Sequence, residues 1–158
     1  MFMKTLIAYY SRTGTTKKVA EAVAKILGAE IEAILDFKNR QGVLGYLLSG
    51  REAMRKTMPE IKFQKNPADY DLVIIGTPTW GWNMASPVRS YLNENKGKFK
   101  KTAYICTMGG SDPEKVYKFM NEIIGMEPAA TLSFKTLEVT KGDITEPVKK
   151  FADDLGRA

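Results

Sequence analysis

Apolar and polar positions change spacing along the chain in a way that marks out five strand–helix units. Thr5 to Tyr10, "TLIAYY", is an apolar run of strand length. From Thr16 to Leu27 the spacing becomes helical: Val19, Val23, Ile26 and Leu27 recur on one face, and Gly28 is a natural stop. Ala29 to Leu35, "AEIEAIL", alternates apolar with acidic residues and reads as a second strand. Asp71 to Thr77, "DLVIIGT", carries a continuous apolar run, as a central parallel strand covered on both faces should. After it, Ser86 is placed to cap a helix, with Pro87 at its first position and Val88, Tyr91 and Leu92 on its inner face. Thr102 to Thr107 is the fourth strand. The helix after it opens at Asp112 and Pro113, carries Val116, Phe119, Met120, Ile123 and Ile124 inward, and stops at Gly125. Leu132 to Val139 reads as the fifth strand. Thr145 caps a last helix through about Leu155, with Val148, Phe151, Ala152 and Leu155 inside.

The segment Asp36 to Asp69 is the least regular. Within it, Leu44, Leu47, Leu48, Met54 and Met58 outline an amphipathic helix from about Val43 to Thr57. Arg51, Arg55 and Lys56 would decorate its outer face, and Pro59 would end it.

Repeated βα units imply an α/β fold: a three-layer α/β/α sandwich on a five-stranded parallel sheet, with right-handed crossovers. A chain of 158 residues without linker, repeat or low-complexity tract fits one domain, residues 1–158. In such sheets ligands bind beyond the carboxyl ends of the strands, near the point where strand order reverses. The loops after strands one, three and four therefore carry the interest.

Composition narrows the chemistry. There is no histidine, so histidine-based triads and histidine-ligated metals are excluded. The single cysteine, Cys106, permits neither an internal disulfide nor a paired redox motif, and reads as a small filler of strand four. The charge is +6, with lysine doublets at Lys17-Lys18, Lys100-Lys101 and Lys149-Lys150. These are scattered and the tryptophans lie outside them, which argues for solvated faces rather than a nucleic-acid groove. No apolar run reaches membrane-span length, and the opening stretch lacks a cleavage site. A cytoplasmic protein with neither nucleic-acid nor membrane partners is expected.

Three loops carry candidate chemistry. "SRTGTT", Ser11 to Thr16, packs four hydroxyls, a glycine and a cation between the first strand and the first helix. The first amides of a helix lack intrahelical partners and its dipole favours an anion there. With Ser11, Thr13, Thr15 and Thr16 they form a cradle for a phosphate monoester, to which Arg12 adds a counter-charge or from which it points to solvent. Gly14 allows the close backbone approach. The plain alternative is a hydroxyl-rich cap. "PTWGW", Pro78, Thr79, Trp80, Gly81 and Trp82, follows the central strand, and exposed indoles there invite a planar apolar partner. The alternative is that Trp80 or Trp82 folds back into the core. Thr107, Met108, Gly109 and Gly110 follow the adjacent strand with free amides and little bulk, suited to a polar ring edge or to a simple turn. Phosphate at one loop and a flat ring between two others describe a mononucleotide with an aromatic head, the shape of FMN.

These residues resemble the flavodoxin family. Ser11, Thr13, Gly14 and Thr16 match its [ST]-x-T-G-x-T phosphate motif, Asp71 to Trp80 its third strand and first flavin loop, and Cys106 to Gly110 its second flavin loop. The resemblance covers nearly the whole chain. It implies strand order 2-1-3-4-5, non-covalent FMN, phosphate contacts from residues 11–16 and flavin contacts from Pro78 to Trp82 and Thr107 to Gly110. It also makes Gly81 the peptide able to rearrange with redox state. Two departures stand out. The second flavin loop carries Met108 and no aromatic, leaving the outer ring face to Trp80, to Trp82 or open. The chain is basic where many flavodoxins are acidic, so a less extreme potential is expected, since one charge about 8 Å from the ring is worth roughly 2 kcal/mol at an effective dielectric near 20. The leading expectation is an FMN electron-transfer protein serving redox partner proteins, a reductase and an acceptor, as a monomer or weak homo-oligomer. The alternative is an FMN-dependent NAD(P)H reductase of a quinone, nitroaromatic or ferric compound. A phosphoryl-receiver domain shares the fold, but Tyr10-Ser11 and Thr77-Pro78 stand where its acids would be.

Overall fold

The computed structural model describes residues 2–157. In chain order the elements are β1 (Thr5–Tyr9), α1 (Thr15–Leu27), β2 (Glu30–Ala33), β3 (Leu35–Asp36), α2 (Gly42–Met54), β4 (Ile61–Lys62), β5 (Leu72–Trp80), β6 (Asn83–Met84), α3 (Ser86–Glu94), β7 (Thr102–Met108), α4 (Pro113–Ile124), β8 (Thr131–Lys135), α5 (Thr136–Lys141) and α6 (Thr145–Arg157). The long strands form a parallel sheet in the order β2-β1-β5-β7-β8, which is the 2-1-3-4-5 order expected. β1 and β5 run side by side from Thr5↔Leu72 to Tyr9↔Gly76, and β5 and β7 from Val73↔Thr102 to Pro78↔Thr107. Order reverses at β1 and β5, so their carboxyl ends flank a crevice.

The sheet separates two apolar layers. Ile7, Leu72, Ile74 and Ile105 meet Val19 and Val23 of α1 and Val148, Phe151 and Leu155 of α6. Leu6, Val73, Ile75 and Tyr104 meet Val88, Tyr91 and Leu92 of α3 and Val116 and Met120 of α4. The apolar runs of the central strands are thus buried on both faces, as parallel strands require.

Several boundaries differ from the sequence expectation, each for a local reason. The second strand breaks at Ile34, and Leu35–Asp36 leaves to pair antiparallel with Ile61–Lys62. The fifth strand ends at Lys135, because the Glu138 carboxylate accepts a 2.6 Å bond from the Lys135 N–H and starts a helix over Thr136–Lys141. Ser86 is the first residue of α3 rather than its cap, and its hydroxyl donates to Glu52 (3.2 Å). At α6 the Asp143 carboxylate, not Thr145, accepts from the backbone, taking the Thr145 N–H at 2.8 Å.

The largest departure is α2. Its expected core residues Leu44, Leu47, Leu48 and Met54, and Met58 beyond it, are all exposed. Its buried residues are Gly45, Ser49, Glu52 and Ala53. The reason is close approach: a Cβ at Gly45 would lie 2.2 Å from the Arg40 carbonyl, so only small side chains fit that face. Ion pairing replaces apolar packing. Arg40 Nε pairs with Asp36, Arg40 Nη2 lies 2.6 Å from Glu52 Oε2, and Lys38 pairs with the same Glu52 carboxylate. α2 therefore stands against the carboxyl end of β5 with its apolar side outward.

Candidate functional site

At the end of β1 the chain turns through Gly14, whose φ of 95° is left-handed and easy only for glycine. Gly14 holds the cap position of α1 with no side chain capping the helix, so the first α1 amides keep their hydrogen-bonding capacity. The Gly14 N–H itself donates to Ser11 Oγ (3.1 Å), and the first intrahelical bond runs from Lys18 N–H to the Gly14 carbonyl (3.0 Å). Gly76 on β5 lets the helix end sit close to the sheet, for a Cβ there would meet Tyr9 Cβ at 2.9 Å and Thr16 Cγ2 at 3.3 Å. Across the loop, Thr16 Oγ1 and Thr107 Oγ1 share a 2.8 Å bond. Thr136 Oγ1 donates to the Met108 carbonyl (3.2 Å). Ser11, Thr16, Thr107, Met108 and Thr136 line a cavity of about 160 Å³ that also meets Thr13, Thr15, Pro78, Thr79 and Gly109. Among the described residues no carboxylate lines it. Hydroxyls, uncapped helix amides and the absence of negative charge among its walls fit a phosphate.

The loop after β5 is tighter than the sequence suggests. β5 runs on to Trp80 and returns as β6, pairing Thr79↔Met84 and Trp80↔Asn83. The connection is the two residues Gly81 and Trp82, at φ of 52° and 60°, the pattern of a type I′ hairpin. Thr77 fastens its base: Oγ1 donates to the Pro78 carbonyl and accepts from the Ala85 N–H (3.0 Å). The two tryptophans have separate fates. Trp80 is only 5% exposed, edge-on to Tyr10 at 5.3 Å with the Arg40 guanidinium 5.1 Å over its ring. Trp82 is 61% exposed at the rim. Folding back into the core thus describes Trp80, although one side of its ring still walls the cavity.

Gly81 is also where α2 comes closest. A Cβ there would lie 2.7 Å from Met54 Cγ and 2.8 Å from the Gly50 carbonyl. Between this hairpin, α2 and the Gly109-Gly110 turn lies a second cavity, about 650 Å³, walled by Tyr46, Met54, Trp80, Trp82 and the two glycines, with Arg51 and Arg55 also in its lining. Its size suits a small organic ligand. The two cavities share Tyr46, Thr79, Trp80 and Gly109 as common walls, so they form one crevice with a polar end and an apolar end.

The structure brings together all three loops singled out by sequence. Arg12 stands at the α2 side, its Nη1 3.4 Å from the Arg40 carbonyl and its guanidinium 5.4 Å over the Tyr46 ring. Cys106 is buried filler whose Sγ meets Thr79 Oγ1 at 3.1 Å, and burial pushes its thiol up to about 11. Sequence reasoning missed Tyr46, Gly50, Arg51 and Met54 on α2 and Arg55 at its C-cap, together with Ser111 and Thr136. One available signal was the pairing of Gly45 with Ser49 and Ala53, a small-residue stripe opposite the leucines.

A doubly wound parallel sheet with a hydroxyl-lined cavity and a ring-sized cavity at its switch point has the architecture of a mononucleotide-binding α/β protein. Residues 4–150 match the family described as Flavodoxin, and the chain belongs to that family. It is 25% identical to a flavoprotein of Lactobacillus acidophilus NCFM solved in complex with FMN, with a TM-score of 0.75 over 95% of this chain and 99% of that one. Among curated proteins it is 34% identical over 115 residues to NAD(P)H dehydrogenase (quinone) 3 of Rhizobium meliloti, covering 67% of this chain and 50% of that protein. It is 31% identical over 118 residues to an NAD(P)H dehydrogenase (quinone) of Geotalea uraniireducens, covering 68% and 55%. The chain spans about half the length of these curated relatives. The family and the FMN complex bear out the flavodoxin class and FMN as the cofactor. Among the described residues no helix is long and apolar enough to cross a membrane.

Proposed function

We propose that the chain holds FMN along this crevice and exchanges electrons at the ring edge left open toward α2 and Trp82. The observation that carries the reading is the continuity of the hydroxyl-lined cavity with the apolar one through Tyr46, Thr79, Trp80 and Gly109. Ser11, Thr13, Thr15 and Thr16, with the first amides of α1, would hold the phosphate. Pro78, Thr79, Trp80, Gly81, Trp82, Thr107, Met108, Gly109 and Gly110 would surround the flavin. FMN, when bound, supplies one- and two-electron chemistry. The protein's residues bind and orient it: buried Trp80 gives a fixed apolar wall, backbone at Gly109 and Gly110 reaches the site without side-chain bulk, and Met108 closes the floor.

A second reading is that NAD(P)H reduces the flavin directly and a quinone, nitroaromatic or ferric compound receives the electrons. The breadth of the second cavity favours it, as do the names of the curated relatives. Two measurements test these readings. Apoprotein titrated with FMN and with riboflavin should prefer FMN by at least about 100-fold, because a phosphate held by several charge-assisted bonds contributes about 3 kcal/mol or more. Equal affinities would remove the phosphate cradle. Anaerobic mixing of the holoprotein with NADPH then separates carrier from reductase: slow bleaching supports the carrier, bleaching at enzymatic turnover rates the reductase.

A further inference from the structure

Four cations beside the crevice form no ion pair among the described residues. Arg51 on α2 and Arg55 at its C-cap, one helical turn apart, line the larger cavity. Lys56 follows at once, its Nζ 5.5 Å from the Phe119 ring centroid, and Lys115 of α4 places its Nζ 5.9 Å from the same ring. The acid of α2, Glu52, is buried against Arg40 and Lys38, and Asp112 is engaged in capping α4 through the Glu114 N–H. Like charges gathered on one aromatic ring repel, and an anionic surface would relieve them. Lys56 sits at a φ of 55°, a left-handed position where glycine is favoured, so the cation is present against the preference of the backbone. Exposed Trp82, Met54 and Met58 supply an apolar centre to this basic rim.

We infer that this face docks a redox protein whose own docking surface is acidic, the four cations steering it so that its centre meets the open end of the crevice. The inference rests on the FMN reading and names the partner's chemistry. A second copy of the chain fits less well, since a two-fold contact would set these cations against their own equivalents. Per encounter, one electron leaves the partner's reduced centre and enters the flavin: the partner is oxidised and the flavin reduced by one electron.

The test uses FMN-loaded protein and an acidic plant-type [2Fe–2S] ferredoxin, reduced beforehand with dithionite and mixed anaerobically. The second-order rate should fall about tenfold between about 20 mM and 300 mM salt, and K56E/K115E should lower the low-salt rate by about tenfold. These two lysines lie outside the crevice walls, so FMN affinity should not move. Basic cytochrome c, mixed with the reduced protein, should show the opposite salt dependence. A ferredoxin rate indifferent to both salt and K56E/K115E overturns the inference. So does a variant that slows reduction by NADPH while sparing ferredoxin, which would assign the patch to a dinucleotide phosphate, and so does a dimer that K56E/K115E dissociates. Should the chain not hold FMN, the cofactor reading fails by itself. Ferredoxin binding to the apoprotein, salt-sensitive and weakened by K56E/K115E, then reads the surface directly, and its absence overturns the docking.

Discussion

Helices α1 and α2 each have thirteen residues and lie against opposite faces of one sheet, yet different forces hold them. α1 buries Val19, Ala20 and Val23, and its Lys18 Nζ donates to the Val139 carbonyl (2.7 Å). α2 buries Gly45, Ser49, Glu52 and Ala53, is tied down by Arg40, and turns its leucines outward. α1 is a core element whose first turn lines the smaller cavity. α2 is a wall of the site, and its outward side chains are free to meet whatever approaches the crevice. α2 departs from the inward-apolar rule because ions, and not its apolar face, anchor it.

The sharpest way to break this contrast is to remove the anchor. Arg40 is 3% exposed and faces two carboxylates, so Arg40→Ala strands Asp36 in a buried position and leaves Glu52 with Lys38 alone. Loss of one member of such a cluster costs about 3–5 kcal/mol. Urea unfolding should show that loss, and Trp80 emission should change with it, since the guanidinium lies over that ring. A loss under about 1 kcal/mol would mean that α2 is held by something other than its ions.

Next in size is the difference between outward and inward apolar residues. Val23→Ala on α1 should cost about 2 kcal/mol, from two buried methyl groups and the space they leave. Leu44→Ala on α2 deletes more carbon yet should cost less than about 0.5 kcal/mol, because Leu44 is 83% exposed. Comparable losses at the two positions would erase the distinction between core helix and wall.

Acid should release α2 first. Burial by itself raises the Glu52 carboxyl, but hydrogen bonds from Lys38 and Arg40 outweigh it and leave the group below its ordinary value. A depressed carboxyl stabilises the fold above the unfolded-state value of about 4.3 and loses that contribution as pH falls through the folded one. Hydrogen exchange, corrected for its intrinsic pH dependence, should therefore show α2 amides losing protection below about pH 4 while α1, which buries no carboxylate, keeps its own. Simultaneous loss in both helices would point to global unfolding instead.

The same contrast explains what could be read from sequence. The sheet was legible because Leu72 to Gly76 and Thr102 to Cys106 are apolar on both faces, a pattern with few alternatives. The hydroxyl-rich loop at the end of β1 was legible because Ser11 to Thr16 needs only local chain to form. α2 was misread because its anchor, Arg40 with Asp36 and Glu52, is charged and discontinuous, and no periodicity reports an ion pair. Trp80 and Trp82 look alike in the string "TWGW"; what separates them is the two-residue hairpin, which buries one and lifts the other to the rim. The helix over Thr136–Lys141 was missed because "TLEV" suits a strand until Glu138 turns back onto Lys135.

The helix ends give the smallest and most discriminating effect. α1 ends on Gly28 at a φ of 62°, whereas the turn closing α2 places Lys56 at 55°, with the Lys56 and Thr57 N–H groups donating back to the Ala53 and Glu52 carbonyls. Both are left-handed closures, but a side chain in that conformation costs about 1 kcal/mol that glycine avoids. Lys56→Gly should therefore raise stability by about 1 kcal/mol, seen as a higher urea midpoint at unchanged slope. In the same protein the low-salt electron exchange with an acidic partner should slow by about twofold, one steering charge having gone. A residue present only for packing would not link a gain in stability to a loss in encounter rate. If the midpoint rises and the rate stays, the cation at the end of α2 is incidental to docking and the two helices differ in anchoring alone.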